Sequence, residues 1–121
     1  MNRKVEMNNT QFYNDLEKLL EVLPTEVAWK WRDRCLDYIV EIVLDIGRSA
    51  EVRFLDGRID YLGEDKIKQK DIDHVLERIE EFTSDNRTGI PGTLHRISAI
   101  RNRKDQVIGL TCRVGRIVTG T

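Results

Sequence analysis

The last third of the chain concentrates side chains that bind anions. Residues 86–121 contain seven basic residues and one acidic residue, a net charge of +6, whereas residues 1–85 contain 13 basic and 20 acidic residues, a net charge of −7. Six of the seven are arginines, whose planar guanidinium fork suits phosphate and carboxylate groups. They are Arg87, Arg96, Arg101, Arg103, Arg113 and Arg116. The pattern predicts a surface that contacts phosphate or an acidic partner; the alternative is that these arginines pair with acids of the same domain.

Constellations typical of catalysis are absent from the sequence. Ser98 is not part of a G-x-S-x-G motif, and the segment RVGRIVTGT lacks the lysine and the spacing of a phosphate-binding loop. Cys112 alternates with apolar residues along an apparent strand, which indicates packing rather than nucleophilic chemistry. We therefore expect no catalytic residue and no cofactor in this chain.

Metal sites and membrane spans are not predicted either. Cys35 and Cys112 lie 77 residues apart, neither belongs to a C-x-x-C motif, and His74 and His95 are not spaced to complete a zinc site. No apolar run approaches the roughly 18 residues of a membrane helix. The N-terminal segment MNRKVEMNNT lacks the apolar stretch of a signal peptide. With 121 residues, 40% of them apolar and 34% charged, the chain has the size and composition of one ordinary domain.

Three segments have the periodicity of helices. The first, 10–24, stops at a proline. Its apolar stripe is Phe12, Leu16, Leu19, Leu20 and Leu23. The second follows a possible cap at residue 25, and the third covers 68–82. The expected buried positions of the last two are Val27, Trp31, Cys35, Ile72, Val75, Leu76, Ile79 and Phe82.

Strands are predicted before and after the third helix. Residues 40–46 alternate, with Val40, Ile42, Leu44 and Ile46 on one face. Asp56-Gly57 then predicts a hairpin with a two-residue turn. The facing pairs expected from that turn are Phe54–Ile59, Val52–Tyr61 and Arg53–Asp60.

The segment TSDNRTGIPG reads as an irregular loop that carries Arg87. A second hairpin is predicted after it, from LHRISAIRN and VIGLTCRVGR joined by RKDQ, with arginines on its outer face. The fold class is therefore α+β: an antiparallel sheet of about five strands, a three-strand unit and then the C-terminal hairpin, with a helix on one face. The expected organisation is a disordered lead-in over 1–9, a helical pair over 10–36, and the α+β domain over 37–121.

Three stretches of the chain together resemble a known protein family. They are DNRTGIPGTLHRISAIRNR, VIGLTCRVGRIVTGT and EIVLDIGRSAEVRFLDGR. Together they resemble the N-terminal region of a cyanobacterial and plastid AAA-type ATPase family, which is similar to the stage III sporulation protein AA and more remotely to secretion and pilus-retraction motors. The likeness covers nearly all of the chain after residue 10.

That resemblance implies a non-catalytic regulatory and assembly domain with a PAS-like fold, truncated before its ATPase core. It implies ATP and Mg²⁺ as cofactors of the parent protein, homo-oligomers, and a location in the cyanobacterial cytoplasm or the plastid stroma. It also makes the six arginines candidates for contact with nucleotide or with the core. Two alternatives remain open from the residues themselves: a nucleic-acid-binding module, and an oligomerisation domain that pairs through an edge of the last hairpin.

Overall fold

The computed structural model describes residues 14–32 and 39–115, without the side chains of residues 29–32, 63 and 64. Helix α1 is described over residues 14–22, and two further helices follow: α2 (Thr25–Arg32) and α3 (Gln69–Leu76). The strands are β1 (Ile39–Asp45), β2 (Ser49–Phe54), β3 (Ile59–Lys66), β4 (Arg87–Gly89), β5 (Arg96–Arg101) and β6 (Val107–Arg113). The lead-in 1–9, Phe12, Cys35, Arg116 and the side chain of Trp31 lie outside this description.

The six strands form one sheet in the order β3-β2-β1-β6-β5-β4, and every pair of neighbours is antiparallel. The α+β class and the antiparallel sheet are thus confirmed, but the sheet has six strands rather than five. The additional strand is β4, which lies inside the segment expected to be an irregular loop. Its three residues pair with β5 from Arg87↔Ser98 to Gly89↔Arg96.

Leucines of α1, and one directly after it, supply much of the core. Leu16, Leu19, Leu20 and Leu23 recur at helical spacing, and each is at most 3% exposed. They form one cluster with residues of α3 and with the inner positions of the sheet, so the helices lie on a single face of it. No described helix is long and apolar enough to cross a membrane.

Helix α3 is shorter than its apolar pattern predicts. Asp71 accepts a hydrogen bond from the backbone N–H of Lys68 at 2.8 Å, which closes the first turn of the helix. Ile72 and Val75 are fully buried. The chain leaves the helix after Leu76, and the predicted core positions beyond it pack against the cluster from a non-helical segment.

The hairpin β2–β3 has a different register from the predicted one. The N–H of Phe54 bonds to the carbonyl of Arg58, so the loop has three residues, and Gly57 takes a positive φ of 91°. This is the type I turn with a bulged glycine, and it shifts the pairing by one residue relative to a two-residue turn. Because side chains alternate with period two, the shift moves Ile59 and Tyr61 from the expected buried face to the outer face, where they are 46% and 57% exposed.

Two irregularities change which residues of β1 and β6 are buried. A register shift between Ile39 and Glu41 buries Ile39 in place of Val40, and Ile46 at the far end of the strand is 37% exposed. A second shift, opposite Ile100 and Arg101, buries Val107. A bulge adds a residue to one strand only, so a strict alternation read from the sequence loses its phase there.

Candidate anion-binding face

No described helix covers the outer face of the sheet, which is the face opposite the core. We call β1, β2 and β3 the paired half of the sheet and β4, β5 and β6 the basic half. Strand register places outer-face residues in two rows that cross both halves. The first row is Ile59, Arg53, Glu41, Arg113, Arg96 and Gly89, and the second is Tyr61, Glu51, Val43, Thr111, Ser98 and Arg87.

The paired half neutralises its own arginine. Arg53 lies 3.3 Å from the carboxylate of Glu41 and 3.1 Å from that of Glu51. The hydrogen bond that Arg53 donates to Glu51 and the charges of both acids raise the pKa of Arg53 above its ordinary value. The predicted ion pair between Arg53 and Asp60 is therefore replaced by pairs with β1 and with the residue two positions back, as the shifted register requires.

The basic half leaves its outer-face arginines without acidic partners. Among the described residues, Arg87, Arg96 and Arg113 have no carboxylate within 4 Å, although Glu41 is the strand neighbour of Arg113. All three are exposed. Arg96 and Arg113 lie directly opposite each other on β5 and β6, and Arg87 lies opposite Ser98, two residues along β5. Like charges placed side by side repel, so this arrangement favours an anion from outside.

Arg101 is occupied within the domain, unlike those three arginines. Its Nε donates to the side chain of Asn86 at 2.7 Å, and its Nη1 donates to the carbonyl of Asp105 at 3.0 Å. Its guanidinium also lies 6.0 Å from the centre of the Phe82 ring. Of the other candidates, Arg103 lies in the exposed turn between β5 and β6, and Arg116 lies outside the described residues. The structure thus groups three of the six predicted site arginines on one surface.

A groove of about 620 Å³ runs beside the edge strand β4. Two of the three grouped arginines, Arg87 and Arg96, line it together with the hydroxyl-bearing residues Thr83, Thr88 and Thr93. The Thr93 hydroxyl donates to the carbonyl of Ile90 at 2.8 Å and accepts from the N–H of His95 at 3.1 Å, which fixes the turn before β5. Guanidinium and hydroxyl groups are donors that suit phosphate oxygens.

His95 is a groove residue whose contacts the sequence did not reveal. It lies at the inner wall of the groove, 1% exposed, and hydrogen-bonds with both ring nitrogens. Its Nε2 is 2.8 Å from the carbonyl oxygen of Asp15, and its Nδ1 is 2.9 Å from the backbone N–H of Gly115. Burial lowers the pKa of His95, while the nearby Asp15 acts in the opposite direction. Since its partners are backbone groups 80 and 20 residues away along the chain, no motif in the sequence signals these contacts.

The described part of the chain contains neither a reactive thiol nor a cluster of metal-binding side chains. Cys112 is fully buried, and burial raises the pKa of its thiol to about 12, so it stays protonated and packs in the core. Within residues 14–32 and 39–115, no group of three or more His, Cys, Asp or Glu residues is arranged to hold a metal ion.

Neighbouring strands flank both sides of the last hairpin. Strand β1 pairs with β6, and β4 pairs with residues 96–98 of β5. Self-association through that hairpin stays a prediction. The edge strands of the sheet are β3 and β4.

Three curated proteins illustrate what the chain is similar to. It is 47% identical over 109 residues to the uncharacterized protein ycf45 of the red alga Porphyra purpurea, and 40% identical over 109 residues to the ycf45 protein of Cyanidium caldarium. It is 42% identical over 109 residues to the protein SEEDLING PLASTID DEVELOPMENT 1 of Arabidopsis thaliana. These alignments cover 88–89% of this chain but only 19%, 32% and 16% of the respective relatives. No protein-family model matches the chain.

These relatives correct the identification made from the sequence. None is named as an AAA-type ATPase or a sporulation protein, so the assignment to that ATPase family, and with it the role of a regulatory domain on an ATPase core, is wrong. The plastid connection is supported, because the relatives come from plastid-bearing organisms. None of the relatives is named as an enzyme. The PAS-like label for the fold and the cofactors of a longer protein stay predictions.

Proposed function

We propose that this chain is a non-enzymatic module that binds a nucleic-acid strand through phosphate contacts on the basic half of the outer face. One observation carries the proposal: Arg87, Arg96 and Arg113 share an uncovered surface and lack acidic partners among the described residues. On the same sheet, Arg53 is held by two carboxylates. Guanidinium groups that are not neutralised internally remain available to an external anion.

The spread of these arginines favours a ligand with several charges. They lie on three successive strands, β4, β5 and β6, which at about 4.8 Å per strand spans roughly 10 Å. That distance exceeds the size of one phosphate group but suits the repeated phosphates of a nucleic-acid backbone. The groove along β4 extends the surface beyond the sheet edge with the hydroxyl groups of Thr83 and Thr88.

The mode of binding follows from what the basic half contains. Residues 83–121 include no Phe, Tyr or Trp, so base stacking is not available there. Binding through phosphates alone positions a strand without reading its bases, and it is therefore tolerant of sequence. The plastid-bearing origin of the relatives supports the plastid stroma or the cyanobacterial cytoplasm as the compartment of this proposed activity.

The test is fluorescence anisotropy with labelled single- and double-stranded oligonucleotides of mixed sequence. Three phosphate contacts correspond to a slope of log affinity against log salt of about −2.7 for a duplex and about −2.1 for a single strand, or roughly a 40-fold and a 20-fold loss between 50 and 200 mM salt. The variant Arg96→Gln/Arg113→Gln is expected to flatten the slope by about two units. Arg58→Gln/Lys70→Gln, which removes the same charge from the β2–β3 turn and from α3, serves as the matched control.

The control distinguishes binding by the arginine face from binding caused by the overall charge of the protein. If both double variants weaken binding equally, the effect belongs to overall charge and the assignment of the face is wrong. Absence of binding to either oligonucleotide at 50 mM salt overturns the proposed function as a whole.

A further inference from the structure

The hydrogen bonds of His95 determine which of its nitrogens carries the proton. A carbonyl oxygen only accepts, so the nitrogen facing Asp15, Nε2, must donate to it. A backbone N–H only donates, so the nitrogen facing Gly115, Nδ1, must accept. The ring is therefore neutral with its proton on Nε2. A doubly protonated ring would point a hydrogen from Nδ1 at the hydrogen of the Gly115 amide.

These two bonds join three parts of the fold. Asp15 belongs to α1, His95 directly precedes β5, and Gly115 follows the end of β6. The chain at Gly115 approaches so closely that a Cβ atom there would overlap the carbonyl of Leu94. The close packing against Leu94 and the Nδ1 bond of His95 thus hold Gly115 in place. Gly115 and His95 also line the groove beside β4.

We propose that His95 is a pH-sensitive lock: its neutral ring holds Gly115 at the wall of the β4 groove, and protonation of Nδ1 releases it. The lock is a property of the fold and goes beyond the proposed nucleic-acid binding. His95 is a positioning residue in this role, because it acts through the backbone of Gly115.

The surroundings of the ring set the pH range of the lock. Asp15 on α1 favours the protonated form, whereas burial, the larger influence, opposes it and lowers the pKa. The basic groups nearby are Lys18 of α1, which reaches the turn at Gly92, and Arg87 and Arg96, which line the same groove. A lowered pKa in the folded state means that the unfolded chain binds the proton first as pH falls. The lock is therefore intact above about pH 6.5, the ordinary value for histidine, and stability declines as pH drops below it.

The first experiment uses the unaltered full chain and nuclear magnetic resonance. The nitrogen shifts of His95 at pH 7.5 should show the Nε2–H tautomer. Lowering the pH through the transition of His95 should reduce the protection of the Gly115 amide against hydrogen exchange by about tenfold, after correction for the intrinsic rate. The amide of Leu110, in the centre of β6, reports global unfolding, so its protection should fall only as far as the free energy of unfolding does, and the Gly115 amide should lose more.

The second experiment separates the two nitrogens by substitution. His95→Asn places an acceptor near the position of Nδ1, and His95→Gln places a donor near the position of Nε2. Gly115 protection should persist in His95→Asn without its pH dependence, and it should be lost at all pH values in His95→Gln. An Nδ1–H tautomer in the unaltered chain, or Gly115 protection that does not follow the titration of His95, overturns the lock.

These outcomes are independent of ligand binding. Failure of the lock leaves the arginine face untouched, because the anisotropy experiment with Arg96→Gln/Arg113→Gln does not involve His95. Failure of nucleic-acid binding likewise leaves the tautomer and the Gly115 protection to be decided on their own evidence.

Discussion

The two halves of the sheet use the same residue type in opposite ways. In the paired half, Arg53 lies between the carboxylates of Glu41 and Glu51 and is neutralised where it stands. In the basic half, Arg96 and Arg113 face each other across two strands with no carboxylate within 4 Å in the described structure. Both sets lie on the same outer face, and some even share a row. The residues on the neighbouring strands therefore decide whether an arginine is paired within the domain or available to an external anion.

The boundary between the halves runs through β1. Glu41 has Arg53 as its neighbour on one side and Arg113 on the other, but its carboxylate contacts only Arg53 within 4 Å. A second acid on the paired side, Glu51, draws the same guanidinium. The basic half has Thr111 and Ser98 at the equivalent positions of its second row. The charge asymmetry of the sequence thus becomes an asymmetry across strands, because β6 and β5 carry hydroxyls in the row where the paired half carries Glu51.

The largest expected effect tests whether the halves fold as one unit. Leu44 of β1 and Leu110 of β6 pair across the boundary, and both are fully buried. Leu110→Ala should lower the free energy of unfolding by about 2–5 kcal/mol, because it removes apolar contacts and leaves a cavity. Urea denaturation followed by circular dichroism and by amide exchange in both β2 and β5 should give one shared transition. Separate transitions for β2 and β5 would contradict a common core, and Leu55→Ala, at a position that is 68% exposed, should change stability by less than about 0.5 kcal/mol.

The next effect compares two glycines at the ends of strands: Gly115 after β6 of the basic half and Gly57 in the turn between β2 and β3 of the paired half. Gly115→Ala forces a methyl group into the carbonyl of Leu94, and overpacking of this kind costs about 1–3 kcal/mol. Gly57→Ala strains a backbone at φ 91° but meets no neighbouring atom, so we expect about 1 kcal/mol. Gly89→Ala, where the methyl would sit 3.6 Å from the carbonyl of His95, is the control with ordinary contact. Thermal denaturation of the three variants checks the order, and an undisturbed Gly115→Ala protein would contradict the close approach.

Much of this arrangement follows from the sequence, and the reasons for the remainder are specific. Period and turn chemistry predict the helices, the antiparallel sheet and the outward arginines of β5 and β6, because these depend on neighbours along the chain. The register of β2–β3 was mispredicted, since Asp56-Gly57 suits both a two-residue turn and a three-residue turn with a bulged glycine. Strand β4 was missed because its three residues lie among turn formers and are held by β5.

The candidate site shows the same limit more sharply. That six arginines form a candidate set is visible in composition, but which of them are free depends on pairings across strands. Arg101 resembles Arg113 in the sequence, yet it is occupied by Asn86 and the Asp105 carbonyl. His95 binds backbone groups 80 and 20 residues away, and no side-chain pattern records such contacts.

A smaller effect is expected when the paired half is made to resemble the basic half by removing its acids. Glu41→Gln/Glu51→Gln removes both acids that hold Arg53 and leaves that guanidinium exposed beside Arg113. If neutralisation is what distinguishes the halves, the variant should bind oligonucleotides more tightly and steepen the salt slope by about 0.9, the value of one added phosphate contact. Glu77→Gln/Glu80→Gln, in the exposed segment after α3, makes the same change in net charge and is the control. Equal gains in both variants would show that Arg53 does not join the surface.

The smallest effect is a difference in stability between two single substitutions. Arg53→Gln breaks two exposed ion pairs, each of the kind worth about 0.2–1 kcal/mol, and leaves Glu41 and Glu51 close together without a cation. Arg113→Gln removes no described ion pair and relieves the repulsion with Arg96 on the neighbouring strand, so stability should be unchanged or rise by a few tenths of a kcal/mol. Urea denaturation at low salt measures both, and high salt should narrow the gap, since exposed charges are screened. A destabilised Arg113→Gln protein would mean that Arg113 is held within the domain, and the contrast between the two halves would disappear.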